Sequence, residues 1–292
     1  MDVTYILAQL FNGLMLGSFF VLLSLGLSVI FGMMGVINFA HGAFYTLGAY
    51  AAYTLCYVLD LGFGWALLIG PLSVGVIGMI LERTLIRKLY NVPHVYNLLL
   101  TFGLMIVLVE FVRLIFTSVG KPFETPGFFR GSVDLGFIMF PKYRIFIILI
   151  SSLCATVVAI LMSKTRLGAI IRAGTDDSEM VSALGINIPR VFTLVFGLGA
   201  ALAGLAGVLA APVQNIVPDM GSEILVLTFV VLIIGGMGSI IGAILGGFIV
   251  GELITLGVVF WPPIAYTLLF FFLAVILLAR PRGFFGRAKF FE

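Results

Sequence analysis

Few side chains in this sequence are equipped for chemistry, and their spacing excludes most kinds of it. The histidines are His41 and His94 alone, and the cysteines Cys56 and Cys154. No His-x-x-x-His pair, no paired-carboxylate metal motif, no Cys–His pair placed for nucleophilic attack and no Walker-type phosphate loop occurs. His41 has no Cys or carboxylate neighbour at ligand spacing, so no metal site and no catalytic residue is expected. What remains is a small set of polar groups embedded in apolar sequence. Asn38 and His41 lie in a Gly-rich interruption, Phe31 to Gly42, and Glu252 stands alone in a long apolar tract. Glu110 and Arg113 are spaced i,i+3 and suit a pair on one helix face.

Within a membrane, ionisable groups are functional candidates by default. Asn38, His41, Gly42 and Glu252 are therefore the candidate path-lining residues. The competing reading makes Asn38 and His41 hydrogen-bonded pins that hold a helix turn. For Glu110 and Arg113, near the end of their tract, it is a structural pair. Glu82 falls at a boundary and asks for no special role.

The elements that must carry these groups follow from where charge is missing. Apolar residues make up 62% and charged residues 10% of 292 positions, against about a quarter charged in ordinary soluble domains. No charge occurs between Asp2 and Asp60, and further uncharged runs cover 89–109, 145–163, 191–218, 224–251 and 253–279. A bilayer core takes about 20 apolar residues per helix. The runs predict an all-α, polytopic transmembrane bundle of about nine spans, with eight to ten allowed by the short segment 222–235. One membrane domain, 1–292, accounts for the chain, with an outer loop at about 117–143 and a charged connection at about 164–190. The opening Met1-Asp2-Val3 lacks the basic region of a secretory signal, so the first run is expected to remain. Cys56 and Cys154 read as apolar fillers.

Basic residues set the expected orientation, because cytoplasmic loops are enriched in Lys and Arg. With the N-terminus outside and the C-terminus inside, the inner loops hold eleven of them: Arg83, Arg87, Lys88, Lys164, Arg166, Arg172, Arg190, Arg280, Arg282, Arg287 and Lys289. The outer loops hold four, Lys121, Arg130, Lys142 and Arg144. They form no stripe, and a net charge of +3 gives no reason to expect nucleic acid as a partner.

Two features point to mechanism. Clustered glycines break the apolar runs at Phe31–Gly42 and at Gly235–Gly247, in opposite halves of the chain, a pattern that marks translocation paths in transporters. Small residues at Gly199, Ala203 and Gly207, and at Gly238, Gly242 and Gly246, read as close helix packing. In the charged connection, Asp176 followed by Glu179 predicts a capped helix of about eight residues that Gly185 stops, with Pro189 opening the next span. So short a helix is unstable alone. Its Met180, Ala183 and Leu184 offer an apolar face for docking, and a solvated loop helix is the alternative.

The segment Arg172-Ala173-Gly174-Thr175-Asp176-Asp177-Ser178-Glu179-Met180-Val181-Ser182-Ala183-Leu184-Gly185-Ile186-Asn187 resembles the cytoplasmic loop of permeases in branched-chain amino acid importers of the ATP-binding-cassette class. Gly35–Gly42, Gly197–Gly207, Gly238–Gly247 and Arg280–Gly286 are similar to the same family in the same order, so the resemblance runs nearly end to end. It implies a heteromeric importer in the bacterial inner membrane. Two related permeases form the path, two cytoplasmic ATPases bind ATP and Mg, an external binding protein delivers solute, and this chain binds no cofactor. By position, coupling to the ATPase falls on Arg172, Ala173, Asp176, Asp177, Glu179, Met180, Val181, Leu184 and Gly185. The sequence departs from the family at Val181, where a small Ala is common. The class outside this family that fits the composition is an ion-coupled transporter or channel, which would ask for more carboxylates within the spans.

Overall fold

The computed structural model describes residues 3–90, 92–136 and 138–286. Met1, Asp2, Arg287 and Lys289, used in the readings above, lie outside them. Eleven α-helices account for most of the described residues: α1 (Val3–Met34), α2 (Ala40–Tyr53), α3 (Phe63–Thr84), α4 (His94–Phe116), α5 (Lys142–Lys164), α6 (Arg166–Asp176), α7 (Ser178–Ala183), α8 (Ile188–Ala210), α9 (Met220–Gly235), α10 (Ile240–Phe260) and α11 (Ala265–Ala279). A small hairpin pairs β1 (Ser132–Asp134) with β2 (Met139–Pro141) between α4 and α5. The architecture is an all-α polytopic bundle.

Among the described residues, seven helices are long and apolar enough to span a membrane, α11 counting the 3-10 turn that leads into it. The other two of the expected nine segments are shorter. One is α2 with the π-helical turn Thr54–Val58 that continues it; the other is α9, of 16 residues. Contacts between helix ends sort the bundle into two faces. On one face, the Tyr57 hydroxyl accepts from the Glu124 amide at 2.8 Å, Lys121 and Ile216 form a backbone bridge, and the Tyr143 hydroxyl donates to the Leu209 carbonyl at 2.9 Å. On the other, Arg87 meets Pro189 at 2.9 Å, and the Phe284 and Phe285 amides donate to the Ile234 and Gly235 carbonyls. α1 starts on the first face, where Arg144 donates to Asn12, and the chain beyond α11 ends on the second. The first and last described residues therefore lie on opposite faces, consistent with an odd number of alternating segments.

α1 is the central helix, with Val21, Leu22, Leu23, Leu25 and Leu27 fully buried. It packs on α10 through Gly17, Gly247 and Gly251, each too close to the facing backbone to admit a side chain. Such approach is what holds helices together in lipid, where apolar burial gives no bias. The same device joins α2 to α8 and α9. A side chain at Gly207 would strike the Tyr45 carbonyl, and one at Gly221 the Gly42 carbonyl. Of the expected glycine stripes, Gly238 drops out, because it lies in the turn before α10 at φ +77°.

Candidate functional site: two breaks and the connecting segment

The two expected breaks are real and adjacent. α1 runs unbroken to Met34, and Gly35 then turns the chain at φ +63°, leaving 35–39 non-helical. The second break is confined to 236–239, with Gly236 and Gly238 at φ +101° and +77°. A Cβ on Gly32 would stand 3.3 Å from the Gly238 Cα, so the end of α1 rests on the turn between α9 and α10. Each break is pinned: Thr101 of α4 donates to the Ile37 carbonyl at 3.1 Å, and the chain after α11 bonds to the last turn of α9. Irregular backbone at membrane depth persists where protein covers it or where it lines a cavity.

A cavity of about 370 Å³ opens where the end of α1 and the second break meet the charged connection. Ser28, Gly32 and Met33 of α1, Arg172 and Thr175 of α6, and Ser239 of the second break contribute to its wall. Ser28 is buried, and its hydroxyl has no partner among the described residues.

The connection itself differs from the single helix expected. Residues 166–176 form α6, capped by Thr165, whose hydroxyl accepts from the Gly168 amide at 3.2 Å. Asp176 is thus the last residue of α6, and Asp177 caps α7, accepting from the Met180 amide at 2.9 Å. The cap moves by one residue because Asp177 is extended at φ −153°, the conformation a capping residue needs, while Asp176 is helical. Arg172 and Ala173 belong to α6 as well, and Arg172 donates to the Met162 carbonyl at the end of α5. Gly185 ends the segment at φ +83°, and Asn187 caps α8 with Pro189 in its first turn.

α7 exposes Met180 at 66%, and its C-capping Leu184 is exposed at 75%, while Val181 is turned inward at 5%. Val181 is therefore the residue that seats α7 on its own chain, and its bulk fills that seat instead of the outer face. Asp177, Glu179 and Gly185 stay exposed. α6 carries the contact inward, since Gly174 packs against Met33 of α1 and Ile188 of α8.

None of Asn38, His41, Gly42 and Glu252 lines this cavity. His41 is fully buried, and its Nε2 donates to the Leu23 carbonyl of α1 at 3.0 Å, as a pin would. Asn38 is equally buried, yet neither amide atom has a partner among the described residues. Gly42 is a contact glycine against α9. The Glu252 carboxylate lies over Gly13 of α1, its oxygens buried and without hydrogen-bond partners. Arg113 pairs with Glu110 and reaches Asp219 with two bonds of 2.8 and 2.9 Å, joining α4 to the start of α9.

One cluster was missed. Glu82, at the end of α3, is completely buried and receives Arg87 through two bonds of 3.2 Å and Thr193 at 2.6 Å, with Tyr90 donating as well. Burial first, then the bond to Glu82, hold the Tyr90 hydroxyl well above the usual tyrosine range. The cluster latches the α3–α4 turn to the first turn of α8, where the connecting segment ends.

Residues 9–279 match the family described as branched-chain amino acid transport system, permease component. The chain belongs to this permease family. It is 32% identical to the high-affinity branched-chain amino acid transport system permease protein LivH of Escherichia coli (strain K12), over 98% of this chain and 97% of that protein. Identity to the corresponding permease protein BraD of Pseudomonas aeruginosa is also 32%, over 99% of this chain and 98% of that protein. The permease protein LivM of Escherichia coli (strain K12) is 26% identical over 79% of this chain and 59% of its own length. No solved structure matches. The chain is thus a multi-pass membrane permease, and its exposed short helix, the end of α1 and the second break with its cavity lie in one region.

Proposed function

We propose that this permease forms part of the inner-membrane path of an ATP-driven bacterial importer for branched-chain amino acids or a related small solute, and that α7 receives the push of a partner ATPase. The observation that carries this reading is the exposed apolar pair Met180 and Leu184 on a helix seated by the buried Val181. A helix of six residues cannot hold itself, and exposed apolar side chains rimmed by Asp177 and Glu179 suit a docking partner. Displacement of α7 would pass through α6 to Met33, and so to the break at 35–39 and the cavity beside it. Reorientation around the paired breaks would open the path to one side and then the other.

The remaining assignments follow from the same reading. Two cytoplasmic ATPase subunits carry ATP and Mg, a second related permease completes the path, and an external binding protein supplies solute. The names of the relatives support the solute class, and the similarity to two differently named permeases of one organism supports pairing of this chain with a second permease. The N-terminus lies outside and the C-terminus in the cytoplasm. Nine described basic residues on the α7 face (Arg83, Arg87, Lys88, Lys164, Arg166, Arg172, Arg190, Arg280 and Arg282) against five on the other (Arg113, Lys121, Arg130, Lys142 and Arg144) support that orientation. Asn38 and Glu252 remain the path candidates, for their buried and unpaired polar atoms.

Purification in mild detergent from the native membrane, with mass spectrometry of what accompanies the chain, tests this reading. An ATPase and a second permease are expected, and Met180→Asp with Leu184→Asp should release the ATPase while membrane insertion is kept. Recovery of the chain alone from membranes that still transport would refute it.

A further inference from the structure

On the α7 face, outside the breaks and their cavity, a second and larger hollow of about 600 Å³ lies between the end of α3 and the start of α8. Arg83, Arg87 and Arg190 line it, together with Asn187, Thr193 and Leu194. Arg87 is held by Glu82 and bonded to Pro189 and Thr193, so it forms a fixed wall. Arg83 and Arg190 are exposed, and no ion pair among the described residues neutralises them. The hollow therefore presents two uncompensated guanidinium groups beside the Asn187-capped start of the 23-residue α8.

What adjoins the hollow identifies its occupant. Leu72, Val76 and Ile80 are exposed at i, i+4 and i+8 on α3, and Arg83 follows Ile80 by three residues on that same helix face. Leu194 is exposed on α8, and Arg190 precedes it by four. α3 thus carries an apolar stripe that ends in Arg83, and α8 an exposed leucine one turn from Arg190, with the hollow between the two arginines. An acyl chain fits the α3 stripe and Leu194, and a phosphodiester fits the arginines, which bind phosphate through a planar fork of donors. A water-soluble partner would match the arginines but not the apolar stripe of α3 below them. We infer that this hollow is a binding site for an anionic phospholipid of the leaflet on the α7 side, with its headgroup phosphate held by Arg83 and Arg190 against the Arg87 wall. Because Arg87 and Thr193 also belong to the Glu82 latch, a bound lipid rests directly on the joint between the α3–α4 turn and α8.

The test is native mass spectrometry of the full-length permease titrated with phosphatidylglycerol or phosphatidylcholine. Each basic residue near an anionic surface is worth on the order of fivefold in binding. Arg83→Gln and Arg190→Gln together are expected to weaken phosphatidylglycerol retention roughly thirtyfold, each alone about fivefold, with the Lys pair retaining the charge but not the fork and so falling between the unmodified protein and the Gln pair. The unmodified protein should favour phosphatidylglycerol over phosphatidylcholine, a readout that needs no variant to fold. Equal retention of the two lipids, or of phosphatidylglycerol by the Gln pair, overturns the inference. Full displacement of lipid by millimolar inorganic phosphate would make free phosphate the ligand, and a Gln pair that keeps lipid but loses an ATPase would make the hollow a protein-docking surface. Either result also overturns it. The proposed transport function stands apart, since lipid retention is read without transport.

Discussion

The Glu82 latch gives an asymmetric prediction whose sign depends on burial. Glu82 has no exposed side-chain surface, whereas the Arg87 side chain is 30% exposed. Arg87→Met strands a carboxylate that has no route to water and keeps only the hydroxyls of Tyr90 and Thr193. Removal of one partner from a buried pair costs about 3–5 kcal/mol. Glu82→Gln leaves the guanidinium with access to the hollow and with the Pro189 carbonyl, and a neutral amide still meets Tyr90 and Thr193. Its cost is set by weakened hydrogen bonds, about 1–3 kcal/mol. The double variant removes both charges, so it should cost less than the sum of the singles by about 2 kcal/mol. Helix content during titration of the detergent-solubilised protein with dodecyl sulfate ranks all three. Equal losses for the two single variants, or a larger loss for Glu82→Gln, would refute the placement of the carboxylate in the protein interior and of the arginine at its edge.

Alkaline pH should act through the neighbouring tyrosine. Tyr90 keeps its proton in the folded state above its ordinary value, so its contribution is full below about pH 10 and is lost as pH rises beyond it. Tyr90→Phe is expected to flatten the fall in melting temperature above pH 10, and an unchanged slope counts against the buried bond. Gly221→Ala forces α2 and α9 apart at the Gly42 carbonyl and should cost about 1–3 kcal/mol. Gly103→Ala in α4, with open space around it, should be neutral or slightly stabilising in the same thermal assay. Cysteines at Met33 and Gly174, joined by a short bismaleimide, should arrest uptake while the ATPase stays bound. Undiminished transport by the joined protein would show that α6 need not move against α1.

The spans were legible because lipid enforces long uncharged runs, and residues such as Gly235 and the Trp261-Pro262-Pro263 turn mark where they stop. Even the short α9 was visible as 222–235, two residues inside its observed start. α6 escaped because the charges of 164–190 drew the reading to the acidic cap. Leu167, Ile170, Ile171 and Gly174 recur at helical spacing, and that periodicity was available. The latch escaped for a different reason. Glu82 and Thr193 are 111 residues apart, and no local pattern joins them. Val181 shows the same limit from the other side, since the sequence places it on a docking helix but only the packing shows which way it faces. Asn38 and His41 stood as path residues or pins, and the hydrogen bond to Leu23 supports the pin for His41 alone.

The seating of α7 by a single inward side chain bears on how the subunit is policed. A six-residue helix with two large apolar groups in water opens at little cost, since local stability follows buried contact. Whatever covers Met180 and Leu184 raises that cost by mass action. A permease that has found its partner would then be hard to cut between 177 and 185, and an orphan would be cut there first. The same exposed segment that receives force in the assembled importer would serve, before assembly, as the tag by which unpartnered copies are removed.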